Sequence, residues 1–115
     1  MSVIIYHNPR CSKSRAALTM LQERGVQPEV VEYLKHPPTR DELERLLKLL
    51  KLEPRELMRK KEPEYKALGL DDPRLSRDAL IQAMVEHPKL IERPIVVRAD
   101  KAALGRPPEE VLRVL

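Results

Sequence analysis

Val3, Ile4, Ile5 and Tyr6 form a nearly continuous apolar run that ends at His7, the pattern of a strand buried on both faces. Ser12 to Arg24 then carries apolar residues at helical spacing. Ala16, Leu18, Met20 and Leu21 form the expected face, and Gly25 is the stop. Glu29 to Tyr33 reads as a second short strand. A β-α-β unit of this kind predicts parallel strands joined by a right-handed crossover.

Pro37-Pro38 breaks the chain, and Thr39-Arg40-Asp41-Glu42 has capping-box spacing. The helix that follows is predicted to reach about Lys51, with Leu43, Leu46, Leu47 and Leu50 as its stripe. Pro54 begins a further short helix through Met58 or beyond, and Pro63 to Leu70 holds a helical turn ending at Gly69. Ser76 caps a helix through Val85 or Glu86, which His87-Pro88 ends. Ile95-Val96-Val97 is a strand, and Ala99-Asp100-Lys101 turns into a last strand near Ala102 to Leu104. Pro107-Pro108 leads into a final helix, Glu109 to Leu115. The order predicts one domain over 1–115, a four-stranded mixed sheet flanked by helices, with an all-helical insertion over about 39–90.

Composition narrows the function. The 115 residues are 42% hydrophobic and 35% charged, enough for one modest aliphatic core under a well-solvated surface. Net charge is +4, which suits anionic substrates without demanding nucleic acid. The basic residues are spread along the chain, with neither zinc-finger spacing nor an RNP-like aromatic motif, so no nucleic acid is expected. No apolar stretch is long enough to span a membrane, and the N-terminus does not read as a signal peptide, so the expected location is cytoplasmic. One cysteine and three scattered histidines predict no metal site, and no bound cofactor is expected.

That cysteine, Cys11, stands where the turn after the first strand opens the first helix. The first amides of a helix lack partners and its dipole points the positive end outward, so an anion is stabilised there. Arg10, Lys13, Arg15 and His7 surround it in sequence. The pattern predicts a low-pKa thiolate beside an anion pocket. A phosphatase-type loop needs arginine six positions after the cysteine, where Ala17 stands, and a dithiol pair needs cysteine where Ser14 stands. Electrons for any redox reaction must therefore come from outside the chain.

The blocks His7-Asn8-Pro9-x-Cys11-x-x-Ser14-Arg15, Leu57-x-Arg59-Lys60, Arg93-Pro94-Ile95-Val96-Val97 and Gly105-Arg106-Pro107 together resemble the glutaredoxin-dependent arsenate reductase family, in order and spacing, over essentially the whole chain. The resemblance implies a thioredoxin-like fold with a helical insertion. It implies Cys11 as nucleophile, His7 as the residue that tunes it, and Arg59, Arg93 and Arg106 as the oxyanion-binding residues. Pro94 matches the position where such folds carry a cis proline. Asn8, Ser14 and Arg15 fall to supporting roles. The implied partners are arsenate, glutathione as co-substrate and glutaredoxin. Two other readings stand beside this one: a different glutathione-linked thiol oxidoreductase on the same scaffold, and a non-catalytic regulatory module.

Overall fold

Strand β1 (Val3–His7) pairs in parallel with β2 (Glu29–Glu32) and antiparallel with β3 (Ile95–Arg98), which pairs antiparallel with β4 (Lys101–Leu104). The computed structural model, which describes residues 2–115, thus contains a four-stranded mixed sheet in the order β2-β1-β3-β4. Helices flank it, as in a thioredoxin-like core. Apolarity explains the order. β1 is the most continuously apolar strand and lies inside the sheet, with Ile5 fully buried. β2, which has glutamate at both ends, takes an edge.

The chain divides into two compact units. One comprises the residues up to His36 together with Arg93–Leu115, and the other is Pro37–Glu92. The first holds the sheet, helix α1 (Ser12–Glu23) and a C-terminal 3-10 helix, Pro108–Val114. Its core joins Val3, Ile5 and Val96 from the strands to Ala17 and Leu21 of α1 and to Ala103, Val111 and Val114.

The buried face of α1 is Ser14, Ala17 and Leu21, with Leu18 partly covered. Ala16 and Met20, expected on that face, are only half-buried. The observed positions follow i, i+3, i+7, a narrower stripe than the expected one, with small Ala17 fully covered in its middle. The terminal helix also departs from expectation. It starts one residue earlier and is 3-10 in character, with Glu110 N–H donating to Pro107 O and Leu115 N–H to Leu112 O. A segment of seven residues opened by prolines that donate nothing is short enough to take the tighter winding.

In the inserted unit, α2 (Arg40–Leu50) opens with the expected capping box. Thr39 Oγ1 accepts from Glu42 N–H, and Glu42 Oε1 accepts from Thr39 N–H. α3 (Pro63–Ala67) is one turn, and α4 (Arg77–Glu86) is capped by Ser76. Ion pairs Arg40–Asp78 and Arg77–Glu44 join α2 to α4. Among the described residues no helix is long and apolar enough to cross a membrane.

One glycine fixes how β4 leaves the sheet. Gly105 N–H donates to Pro94 O at 2.8 Å, and a Cβ built on Gly105 would stand 2.6 Å from Pro94 Cγ and 3.0 Å from Val111 Cγ1. Both neighbours are buried. Gly105→Ala is therefore expected to cost about 1–3 kcal/mol by overpacking, read as a lower urea midpoint. An unchanged midpoint would mean that Pro94 yields freely.

Candidate active site

Sheet register gathers distant pieces of sequence at one end of the first unit. β1 and β3 run antiparallel with Tyr6 opposite Ile95, so the exit of β1 lies beside the entry of β3, where Arg93 and Pro94 precede the strand. Ile95 is in turn opposite Leu104, which brings the end of β4, followed by Gly105 and Arg106, to the same side. Both the Arg93–Pro94 and Arg106–Pro107 bonds are cis; the family resemblance implies only the first.

The turn from β1 into α1 is held by its own backbone. Cys11 N–H donates to Asn8 O and Arg15 N–H to Cys11 O, each at 3.0 Å. Asn8 Oδ1 accepts from Arg10 N–H at 3.0 Å, and Arg15 donates through its guanidinium to Pro9 O at 2.9 Å. Cys11 is the N-cap of α1, in an extended conformation, and its thiol is partly exposed.

Partial burial pushes the Cys11 thiol up. The amide of Ser14, the charge of Arg93, the amide of Lys13 and a hydrogen bond from Arg93 act the other way and prevail, so the pKa lies below the ordinary cysteine value. The charge acting on the sulfur is thus the distant Arg93, rather than the adjacent Arg10, Lys13 and Arg15 that sequence proximity had suggested.

His7 is 6% exposed and Ser14 is fully buried. Burial is the main influence on His7 and lowers its pKa. Glu32, its register partner across β2, opposes this, and Arg15 adds to the lowering. The ring is therefore neutral near pH 7, and any tuning of Cys11 passes through hydrogen bonds rather than charge. The contact is His7 Nδ1 to Ser14 Oγ, at 2.5 Å. Ser14 Oγ also accepts from Asn8 N–H at 3.0 Å. The arrangement that satisfies all three groups has the hydroxyl donating to Nδ1, with the His7 proton on Nε2. Ser14 thus ties the strand end, the turn and the first turn of the helix together. The spacing of seven residues between His7 and Ser14 marks this tie only once the turn is known.

Removing that hydroxyl leaves the buried His7 Nδ1 and the partly buried Asn8 N–H without this partner. Ser14→Ala is expected to cost about 1–3 kcal/mol in urea unfolding and to slow alkylation of Cys11. A loss below about 0.5 kcal/mol, the range of inert surface changes, would show that the tie contributes little.

Arg59 lies in the inserted unit, where its guanidinium is ion-paired with Glu62 at 2.5 Å and Glu92 at 3.8 Å. Its backbone N–H donates to Leu90 O. Arg93 is half-buried and Arg106 exposed. A thiol of lowered pKa at a helix start, with a guanidinium hydrogen-bonded to it, has the chemistry to attack a small tetrahedral oxyanion. The planar fork can hold oxygens while the sulfur approaches.

A sequence model described as the ArsC family matches residues 6–114. The chain is 60% identical over 114 residues to "Uncharacterized protein YfgD" of Escherichia coli, covering 98% of this chain and 96% of that one. It is 54% identical over 112 residues to an arsenate reductase of Neisseria meningitidis serogroup B, covering 96% of each. The solved structure of the arsenate reductase from Vibrio cholerae superposes with a TM-score of 0.98 at 57% identity, covering 100% of this chain and 98% of the other.

Proposed function

The chain belongs to the ArsC family, and on that premise we propose that it is an arsenate reductase, converting arsenate to arsenite through a covalent adduct on Cys11. The observation that carries the proposal is the acidic Cys11 thiol at the start of α1, hydrogen-bonded by Arg93.

The first step joins sulfur to arsenic. The thiolate attacks, an arsenate oxygen leaves as water after taking up two protons, and arsenic remains As(V) in a Cys11 S–As linkage. Two anions repel on approach. Arg93 and Arg106 offset that repulsion and stabilise charge on the oxyanion. Arg59 joins them in this proposal on family resemblance alone. His7 and Ser14 position the turn. Asn8, Arg15 and Pro94 support it.

A single cysteine has no neighbour to complete the reduction, so glutathione supplies the second sulfur. Its thiolate attacks Sγ of Cys11, and the S–As bond breaks with its electron pair going to arsenic. Arsenic falls from As(V) to As(III), leaves as arsenite after protonation, and Cys11 is left as a mixed disulfide with glutathione. Glutaredoxin then takes the glutathione and frees the thiolate. No prosthetic group takes part. The proposed location is the cytoplasm, whose thiol pool keeps Cys11 reduced.

The test is a coupled assay with glutathione, glutaredoxin, glutathione reductase and NADPH. Arsenate-dependent NADPH consumption is the expected result. Absence of such consumption across arsenate concentrations, with Cys11 fully titratable, would reject the proposal.

A further inference from the structure

No aspartate or glutamate occurs between Ser2 and Gln22, yet that stretch carries Arg10, Lys13 and Arg15 around Cys11. Several surface cations elsewhere have acidic partners. Lys35 meets Glu32, Arg40 meets Asp78, Arg74 meets Asp72, Arg77 meets Glu44 and Arg113 meets Glu110. Arg15 is engaged with Pro9 O. Arg10 and Lys13 are exposed and, among the described residues, neither enters an ion pair or a side-chain hydrogen bond. Both are rooted at the site. The Arg10 amide is fixed by Asn8 Oδ1, and the Lys13 amide acts on the sulfur.

These two charges are not the ones that acidify the thiol, since Arg93 supplies that charge. Two cations therefore stand one and two residues from Cys11 along the chain with no acidic partner among the described residues. The reaction provides the use: a lone cysteine must be discharged by an incoming thiol, which has to reach Sγ on its exposed side. We propose that Arg10 and Lys13 form a docking subsite for the carboxylates of an anionic thiol, of which glutathione is the fitting representative. The proposal rests on the reading of Cys11 as a thiol discharged from outside, and it names the groups that select the discharging molecule.

The test isolates thiol exchange from arsenate chemistry. Cys11 is converted with 2,2'-dithiodipyridine to its 2-thiopyridyl disulfide, whose leaving group is neutral. Discharge is then followed as release of 2-thiopyridone, with glutathione or with neutral 2-mercaptoethanol. In the double variant Arg10→Ser, Lys13→Ser the second-order rate with glutathione is expected to fall about 3- to 10-fold, the scale of two exposed ion pairs, while that with 2-mercaptoethanol holds. The difference should shrink towards nothing at about 1 M salt. A glutathione-to-mercaptoethanol rate ratio equal to that of the parent, or an equal fall with both thiols, would overturn the subsite. A parent inert towards arsenate that still shows the charge-dependent ratio would retire the arsenate reading and leave the subsite standing.

Discussion

Cys11→Ser is expected to bring arsenate turnover down to the enzyme-free rate, a fall on the order of 10⁴-fold or more, as when a covalent nucleophile is removed. The same amides and guanidinium that ionise a thiol cannot ionise a serine hydroxyl, whose proton is held far more tightly. The hydroxyl also makes no sulfur linkage for a second thiol to break. Stability should move the other way. Cys11 occupies the N-cap of α1, where serine is among the preferred residues, so the variant is expected to unfold at the same urea concentration or higher. This pairing separates chemistry from folding. A variant that folds and still reduces arsenate at a rate near that of the parent would remove Cys11 from the reaction.

Arg93→Ala carries the second largest effect. It removes both a charge and a hydrogen bond from the sulfur, along with one fork from the proposed oxyanion site. kcat/KM for arsenate is expected to fall about 10²- to 10³-fold, the scale of losing one preorganised donor. The pH profile divides the loss. Thiolate is the reactive form and exists above the thiol pKa, so a depressed pKa extends the active range towards lower pH. In the parent, the alkylation rate of Cys11 should fall only as pH drops through that depressed value. In Arg93→Ala the falling limb should move up towards the ordinary cysteine value of about 8.5. Raising the pH then restores alkylation but not the arsenate kcat/KM, because the missing fork is not a matter of ionisation. Arg93→Lys should keep much of the charge effect on the thiol and still bind arsenate poorly, since an ammonium cannot hold two oxygens in a plane. Identical alkylation profiles for Arg93→Ala and the parent would assign the acidity of Cys11 to the helix amides alone.

The features legible in the chain are those made by near neighbours. The first strand, the helix start at Cys11 and the Thr39–Glu42 capping box each depend on groups a few residues apart, and each stands where the pattern put it. The phase of α1 was less legible. Ala16, Ala17, Leu18, Met20 and Leu21 allow several apolar stripes at helical spacing, and the sheet selected Ala17 and Leu21 together with polar Ser14. A buried serine leaves no hydrophobic signal. Its place on the inner face is explained by two partners, His7 Nδ1 and Asn8 N–H, which the turn delivers.

By itself the sequence determined a thiol at a helix N-terminus, a chain with no second cysteine to resolve it, and the arginine-bearing blocks that the resemblance singled out. Tertiary structure decided which cation governs the sulfur. Arg93 is far from Cys11 along the chain and reaches it because β3 runs antiparallel to β1 with Ile95 opposite Tyr6. It also decided that His7 is neutral, because burial removes the water that would stabilise an imidazolium. Local hydrogen bonds act over a few residues and can be read from residue type. Register and burial arise only when segments far apart in the chain compete for the same core, and no single segment records that outcome.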